Sequence, residues 1–561
     1  MGRKIYARTI EGGSMNLLDR IRLGQNALIG GLDTGLGHLP YYNCGFNNGD
    51  VTQFCHSHPS DLHHNVARAV LALSMTQDVT GDQIHPTVLK DLTESLFSLF
   101  HEKDDLPGTP GGNGQERVIP LHNLREVILA MTELIKLGEE RAEYWTRRLV
   151  RKLRQALDET GQIHLELLPP YVKGYTSQPH QEGRSIGALV EYYRVTGDEV
   201  ALETSVLIAN YTLKNCFDAH SSLTERAGHH THSINGTVAG ILDLALEIND
   251  YRLLQRAKLA YDVGVSSLTS SFGWCRERVD IFNEKGEGNS TGDYIRGALL
   301  LGRAGFPEYF DRAERALRSH LLPSQITDVD GFSDTPNTKN DSFHMVASRV
   351  QGGFGFRTPN DLIVWGYINP WMGYEGIPLC GQANLFRSTK NSVLIEDADL
   401  LSRNDSDRVI SIYDVTSSAV EGLTAAWHSA ITNDAVGVRV NLLFSGEAYG
   451  VHVNSYLPGE GRIDIKNASA QNVFVRIPEW VNSSNVTVKI EDQTCPTKMV
   501  GSYLLASGDE RTQVTSIHFP VREKRTTESI SLTEYTIDWL GDQILAMSPQ
   551  AEHLPMFPPC K

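Results

Sequence analysis

Two polar loops near the middle of the chain carry side chains that could move protons. The first loop holds His229, His230 and His232. The second loop follows helical patterns at 235–247 and 250–267, and it holds Trp274, Arg276, Glu277, Asp280, Glu284, Glu287 and Asp293. Histidine changes charge near neutral pH, and a buried carboxyl group can keep its proton there, so this combination suits acid–base catalysis. We expect the two loops to meet in one catalytic site, and solvated loop charges are the alternative interpretation.

Glu277 is the candidate general acid. It follows the aromatic turn SFGWCRE, where an apolar neighbour could raise the pKa of its carboxyl group. An ion pair with Arg276 or Arg278 is the alternative role for Glu277. The candidate bases are His230 and His232, which stand two residues apart. Because no third ligand is marked by spacing, we expect these histidines to transfer protons or hydrogen bond and not to bind a metal.

Other carboxyl groups could complete an acid–base pair. Asp280 and Asp61 are the remaining candidate catalytic residues. Asp61 and Asp293 have an alternative role, because each stands where it could cap the N-terminus of a helix. The wider set of candidate carboxyl groups also contains Glu182, Glu225, Glu287 and Asp361.

A second set of residues is expected to bind the substrate. Aromatic rings can stack on a sugar ring or line an apolar pocket, while a few polar groups fix the orientation of the ligand. The candidates are His58, His180, Glu182, Arg276, Trp274, Trp365, Trp371 and Tyr374. For the aromatic residues, packing between two domains is the alternative.

Helical hydrophobic spacing recurs in pairs along the first 320 residues. We predict helices at 15–31, 62–75, 86–101, 121–138, 140–157, 183–196, 199–215, 235–247, 250–267, 293–304 and 307–320. The segment VTGD occurs at 79–82 and at 195–198, each time between the helices of a pair. Such repetition predicts a helical toroid, an (α/α)6 barrel, and a helical solenoid is the competing architecture.

The second half of the chain changes character. Residues 325–400 are rich in glycine, proline, asparagine and aromatics, which is typical of long loops and a crossover. From residue 406 short alternating segments with glycine and asparagine turns predict a β-sandwich, apart from a helical piece at 419–430. We therefore predict a mainly α protein with a β domain, in which residues 1–405 form the barrel and residues 406–561 form the sandwich.

Composition excludes several classes of protein. The net charge of −17 argues against a nucleic-acid partner, which would require a basic face. Seven scattered cysteines without a C-x-x-C motif argue against a structural zinc or a disulfide framework. No 18-residue apolar run is present, so we expect no membrane span. Whether the chain forms a homodimer stays open.

The sequence gives conflicting signs of location. The first 18 residues have no apolar core of a secretory signal, so we expect a cytoplasmic protein, or a secreted one if a leader has been removed. Eight N-x-S/T sequons, which matter only in a secreted chain, point the other way. They begin at Asn210, Asn235, Asn289, Asn340, Asn404, Asn467, Asn482 and Asn485. We interpret most of them as chance matches.

Several segments, in order, resemble a known family. They are DLHHNVARAVLAL, QEGRSIGALVEYYRVTGD, GHHTHSINGTVAGILDLAL, SFGWCRE, GDYIRGALLLGRAGFPEYFDRAER, EGLTAAWHSAI, VRVNLLFSG, VFVRIPEW and IDWLGDQILAMSP. Together they extend over most of the chain. The chain resembles the β-L-arabinofuranosidase-type glycoside hydrolases of family 127, and this resemblance implies an (α/α)6 barrel followed by β-sandwich domains.

The chain departs from the chemistry that this resemblance implies. The family pattern implies a zinc ion held by three cysteines and a glutamate, a catalytic thiolate, and a cysteine pair before the helix EGLTAAW. Here the pair is replaced by Ser417 and Ser418, and the cysteine expected ahead of GDYIRGALLLGR falls at Asn289 or Ser290. Hydroxyl groups do not bind zinc or attack as thiolates do. Cys275 and Cys380 do not restore the set, so we expect no zinc and no other cofactor.

Three functions compete on this sequence. The first is a glycoside hydrolase or related carbohydrate-active enzyme that uses carboxylates and histidine without zinc. The second is an intracellular tailoring enzyme, a cyclase, lyase or dehydratase acting on a secondary metabolite. The third is a sugar-binding protein without catalysis. The expected partner is a saccharide or another small molecule. For the first function we expect Glu277→Gln and His232→Ala each to lower turnover by at least about 100-fold and to leave the thermal midpoint nearly unchanged.

Overall fold

The computed structural model describes residues 16–56, 62–108, 118–174, 177–279, 284–364, 386–387, 392–393, 408–469, 471–491, 493–506 and 514–560. Its α-helices are α1 Leu17–Gly30, α2 Leu62–Thr80, α3 Pro86–Ser98, α4 Leu124–Lys136, α5 Glu140–Gln155, α6 Ser185–Thr196, α7 Glu199–Asn215, α8 Thr231–Glu247, α9 Tyr251–Leu259, α10 Gly288–Arg303, α11 Glu308–Ala316, α12 Val346–Val350 and α13 Tyr413–Ala430. Short π-helical turns precede α6 (Pro179–Gly183) and extend α9 (Ala260–Val265) and α11 (Leu317–Leu321). No described helix is both long and apolar enough to cross a membrane.

Six helices form a closed inner ring. Around the ring the order is α2, α4, α6, α8, α10 and α13, and α13 packs against both α10 and α2. The helices α1, α3, α5, α7, α9 and α11 lie outside, each against an inner helix. This arrangement is the predicted (α/α)6 barrel. Its helices lie close to the predicted segments, and the two VTGD segments fall at the α2–α3 and α6–α7 links.

Residue spacing explains which helices lie inside. In the outer helix α5 the buried residues Ala142, Thr146, Leu149, Val150 and Leu153 recur at i, i+4, i+7, i+8 and i+11, which makes one apolar face. The inner helix α8 instead buries thirteen of its 17 residues, because neighbours cover it on most sides.

Glycines allow the inner helices to approach one another closely. A Cβ at Gly422 of α13 would lie 2.8 Å from the Cα of Gly292 in α10. A Cβ at Gly240 of α8 would lie 2.7 Å from the backbone nitrogen of Gly187 in α6. Both distances are shorter than a normal contact, so glycine is required for this packing.

The predicted domain division is wrong for one helix. Residue 405 itself lies outside the described residues, but α13 follows it and is the sixth helix of the ring. The sequence assigns residues 406–561 to the sandwich because strand-like segments begin there and enclose the helical piece at 419–430. The helical domain therefore extends at least to Ala430.

The strands are mostly short. They are β1 Leu32–Asp33, β2 Leu39–Pro40, β3 Asn43–Asn47, β4 Asp50–Cys55, β5 Ile119–Pro120, β6 Val172–Lys173, β7 Gly286–Glu287, β8 Phe356–Arg357, β9 Phe386–Arg387, β10 Ser392–Val393, β11 Arg408–Ile412, β12 Ile431–Asn433, β13 Val438–Val440, β14 Gly446–Ala448, β15 Val451–Ser455, β16 Arg462–Asn467, β17 Val473–Arg476, β18 Thr487–Ile490, β19 Gln493–Cys495, β20 Met499–Val500, β21 Tyr503–Leu505, β22 Val514–His518, β23 Glu523–Ile530, β24 Thr533–Leu540 and β25 Gln543–Ser548.

Two sheets after α13 form a sandwich. One has the strand order β12-β13-β17-β21-β20, and the other has the order β14-β15-β16-β22-β18-β19. Inward side chains of both sheets, such as Val440, Val453, Ile465 and Val475, form one hydrophobic core. The sheets are antiparallel except for the β13–β17 pair, which is parallel.

Two three-stranded sheets lie outside the sandwich. The first has the order β11-β3-β4, and it joins the N-terminal part of the chain to the segment just before α13. The second consists of β23, β24 and β25, and we call it the C-terminal sheet. Its core includes Phe272 and Trp274, so it packs against the loop between α9 and α10. The sequence did not separate the C-terminal sheet from the sandwich.

Candidate active site

The starts of the six inner helices place titratable side chains in one ring. His64 lies in the first turn of α2, and Asp414 lies in the first turn of α13. The other four stand just before α4, α6, α8 and α10, and they are His122, His180, His230 and Glu287. Each inner helix therefore has an acid or a base at or near its start.

Four of these residues form a row of imidazole rings. The ring centroids of His64 and His122 are 5.6 Å apart, those of His122 and His180 are 4.9 Å apart, and those of His180 and His230 are 4.5 Å apart. Burial, followed by the neighbouring cationic groups, lowers the pKa of His122 and of His180 well below the ordinary value. These two rings are therefore neutral at physiological pH.

The row ends at Glu287. The Nε2 atom of His230 lies 3.6 Å from the carboxylate of Glu287, and its Nδ1 atom lies 2.7 Å from the Ser233 hydroxyl. Burial alone would raise the pKa of Glu287, but His230, His232 and Lys285 together outweigh it and lower this pKa. Glu287 is therefore ionised.

Glu277 lies in the same region, but the pKa of its carboxyl group is shifted in the opposite direction. The Nζ atom of Lys285 lies 2.7 Å from the carboxylate of Glu277. Burial and the charge of Glu287 nevertheless raise the pKa of Glu277. The sequence offered an ion pair with Arg276 or Arg278 as the alternative role for Glu277. In the structure its ion-pair partner is Lys285.

The two polar loops meet through their backbones. The Thr231 N–H donates to the Glu277 carbonyl at 3.0 Å, and His230 forms an antiparallel bridge with Arg278. This geometry agrees with the expectation that the two loops lie next to each other. Whether they form a catalytic site is a separate, functional claim.

A buried ion network lies deeper inside the ring. Glu126 of α4 accepts from Arg68, Arg125 and Arg184 at 2.9, 2.9 and 2.7 Å. Arg125 also contacts Glu421 of α13 at 3.0 Å. The three arginines hold the pKa of Glu126 well below its ordinary value despite its burial. This network joins α2, α4 and α13 to Arg184, the residue just before α6.

His232 belongs to the network and not to the row. Its Nε2 atom accepts from Arg184 at 2.9 Å, and its Nδ1 atom lies 2.7 Å from the carboxylate of Asp293. Burial and the nearby arginines lower the pKa of His232 well below its ordinary value. Neither His232 Nδ1 nor Asp293 Oδ2 has a hydrogen-bond partner among the described residues, so it is the contacts of Nε2 with Arg184 and Arg68 that tie His232 to the network. Asp293 lies within α10 and is not an N-cap.

Two predicted substrate-binding residues lie away from the row. Trp274 is 1% exposed, its indole donates to the Arg357 carbonyl at 3.1 Å, and its ring packs in the core of the C-terminal sheet. Glu182 is also buried, and burial followed by the charge of Glu182 raises the pKa of Cys216 at the end of α7 to about 12. Burial raises the pKa of Glu182 itself to about 8. These positions favour structural roles for both residues.

Two of the remaining predicted residues, Arg276 and Asp361, lie among the described residues, and six do not. Arg276 is half-buried, and its backbone pairs with Gly286. Asp361 accepts backbone N–H groups from His553 and Leu554 at 2.8 Å, which is a structural role. Six predicted site residues lie outside the described residues: Asp61, Asp280, His58, Trp365, Trp371 and Tyr374.

Sequence reasoning missed His64, His122 and the arginine network. The signal was present, because each histidine of the row stands at the start of an inner helix. This signal can be recognised only when the starts of the inner helices are compared with one another. The hydrophobic pattern of a single helix does not allow that comparison. The arginines carried no signal, since a charged residue within a helical pattern usually faces solvent.

Among the described residues, Ser418 and Ser290 stand at positions where the family resemblance implies cysteines. Ser418 accepts from Arg68, and the hydroxyl of Ser290 lies 3.4 Å from the carboxylate of Glu287. The Cys275 thiol is buried, which raises its pKa to about 12, so it carries a proton. In the described ranges no three His, Cys, Asp or Glu side chains converge as metal ligands.

Solved structures resemble this fold over nearly the whole chain. A GH127 β-arabinofuranosidase matches with a TM-score of 0.57 and 14% sequence identity, covering 94% of this chain and 78% of its own. A GH127 β-L-arabinofuranosidase from Geobacillus stearothermophilus T6 matches with a TM-score of 0.54 and 14% identity, covering 94% and 80%. No protein family and no curated protein matches the sequence. The chain therefore shares the fold of these β-arabinofuranosidases, which confirms the predicted resemblance at the level of the fold.

Proposed function

We propose that this protein is a carbohydrate-active enzyme that cleaves a glycosidic bond by acid–base chemistry. The observation that supports this most strongly is the pair Glu277 and Glu287, two buried carboxyl groups whose pKa values are shifted in opposite directions. When the pKa values of two neighbouring carboxyl groups are shifted apart, one group can act as the acid and the other as the base. In this proposal Glu277 protonates the leaving oxygen and Glu287 is the ionised partner.

The histidine row supports a polar, uncharged contact surface for the substrate. His122 and His180 are neutral, and each neutral imidazole can donate one hydrogen bond and accept another. The hydroxyl groups of a sugar also donate and accept. His230 links this row to Glu287 and would orient that carboxylate. The fold of the β-arabinofuranosidases adds support by analogy only.

A panel of 4-nitrophenyl glycosides tests the proposal. We expect release of nitrophenol from at least one sugar, and we expect Glu277→Gln and Glu287→Gln to lower kcat by at least about 100-fold. Glu159→Gln, an exposed glutamate in the link after α5, is the control and should keep the wild-type rate. Wild-type rates in both site variants would refute the proposed acid and base.

The histidine row also favours a second candidate, a lyase or cyclase acting on a secondary metabolite. Neutral histidines are suited to removing a proton from carbon. The two functions differ in their products, because hydrolysis incorporates one oxygen atom from water and elimination does not. Mass spectrometry of products formed in H₂¹⁸O would separate them. Binding of sugars without any turnover would instead support the third possibility, a sugar-binding protein.

A further inference from the structure

The C-terminal sheet holds the loop that carries Glu277 by both of its ends. At the first end, the backbone N–H and the hydroxyl of Ser271 donate to the carboxylate of Glu528 on β23 at 2.9 and 2.5 Å. At the second end, the hydroxyl of Tyr535 on β24 donates to the carboxylate of Glu284. Glu277 lies between these two contacts in the chain.

Apolar packing reinforces the two hydrogen-bonded contacts. Phe272 and Trp274 of the loop share one core with Tyr535, Ile537 and Trp539 of the sheet. All five side chains are at most 2% exposed. The sheet therefore supports the loop with a rigid surface, which is how a precise site is held in place.

The contact at Glu284 lies next to the acid of the site. Lys285 follows Glu284 directly, and its Nζ atom lies 2.7 Å from the Glu277 carboxylate. The same Nζ atom lies 3.7 Å from the centre of the Phe356 ring, so Lys285 is confined on two sides. Moving Glu284 would move the backbone that carries this lysine.

We propose that the C-terminal sheet positions the acid of the site. Tyr535 acts through Glu284 and Lys285, and Glu528 acts through Ser271, so both are positioning residues for Glu277. The inference rests on the proposed function, in which Glu277 is the proton donor. It assigns to the C-terminal sheet a role in the reaction beyond stability.

The test compares Tyr535→Phe with Arg525→Ala in the full chain. Tyr535→Phe keeps the ring in the core and removes only the hydroxyl group. Arg525 lies on the same sheet, is exposed and pairs with Asp538 at 2.5 Å, so Arg525→Ala is the matched control. Two quantities are measured: hydrogen exchange of residues 269–279 and 284–287, and the pH dependence of kcat on the best 4-nitrophenyl glycoside.

We expect faster exchange in this loop for Tyr535→Phe and about a tenfold lower kcat with little change in KM. The basic limb of its pH profile should move to higher pH, because the Lys285 contact that lowers the pKa of Glu277 weakens. Arg525→Ala should show none of these changes. Unchanged exchange, or faster exchange with a wild-type kcat and pH profile, would overturn the inference. Failure of the proposed function is recognised separately, by a wild-type rate in Glu277→Gln.

Discussion

At the scale of single residues, the neighbours of a buried carboxyl group decide whether its pKa is raised or lowered. Burial disfavours the charge of Glu277, of Glu287 and of Glu182 alike. The neighbours of Glu287, His230 foremost, outweigh burial and lower its pKa, whereas the pKa values of Glu277 and Glu182 are raised. The sequence does not show the contacts of the three glutamates, so the directions of their pKa shifts could not be predicted from it.

Glu182 gives a stability prediction with a definite sign. Its pKa rises from 4.5 to about 8 on folding, so its contribution to stability is fully present below about pH 4.5 and is lost as the pH rises through about 8. Glu182→Gln should therefore gain stability relative to the wild type between pH 5 and pH 9, by up to roughly 4 kcal/mol. Urea unfolding at both pH values measures this. Parallel pH dependences for variant and wild type would contradict it.

His232 changes its expected role once its partners are known. Removing the ring in His232→Ala leaves Asp293 and Arg184 buried with fewer partners. We expect a loss of about 2–4 kcal/mol in the free energy of unfolding, and not the unchanged midpoint that a freely acting base would give. His230→Ala should cost less, since His230 is partly exposed. A normal midpoint with lost turnover in His232→Ala would restore the catalytic interpretation.

At the scale of elements, the barrel depends on close contacts between inner helices. The backbones of α10 and α13 approach at Gly292 and Gly422, where there is no room for a Cβ. Helix propensity alone predicts that Gly422→Ala stabilises the protein by about 1 kcal/mol. The packing instead predicts that Gly422→Ala destabilises the protein.

We expect Gly422→Ala to lower the free energy of unfolding by about 1–3 kcal/mol, because its Cβ would meet backbone atoms of α10. Thermal and urea denaturation measure the change. His428→Ala on the exposed face of the same helix is the control and should stay within about 0.5 kcal/mol of the wild type. A stabilised Gly422→Ala protein would show that α10 and α13 are further apart.

Hydrophobic spacing predicted eleven helices of the barrel but not its closure. The pattern is local, so it finds α1 to α11 from their own residues. It does not show that α13, after a long loop-rich stretch, completes the ring between α10 and α2. The same limit applies to the site: the two central loops were recognisable, whereas His64 and His122 gain meaning only when distant helix starts come together.

At the scale of the whole molecule, charged contacts connect the barrel to the sandwich. Arg476 of β17 is fully buried and contacts Asp311 and Glu314 of α11. Arg318, in the π-helical turn after α11, pairs with Glu314 at 2.8 Å and donates to the Leu443 carbonyl. These contacts indicate that the outer helix α11 and the sandwich fold against each other as one interface.

Cutting the chain tests which part closes the barrel. A fragment that ends at residue 405 lacks α13, so its ring stays open between α10 and α2, and we expect it to be insoluble or unfolded by circular dichroism. A fragment that ends after Asn433 keeps α13 and should retain more helix, although it loses the contacts of Arg476. A stable, cooperative fold in the shorter fragment would contradict the role assigned to α13.

The most direct test of the central claim is the pH dependence of kcat/KM on the best 4-nitrophenyl glycoside. Because the pKa of Glu287 is lowered and that of Glu277 is raised, we expect a bell-shaped profile. Its acidic limb should lie below the ordinary glutamate pKa of 4.5 and its basic limb above it. In Glu277→Gln the basic limb should disappear, with a rate at least about 100-fold lower. A wild-type rate and an unchanged basic limb in Glu277→Gln would contradict the account.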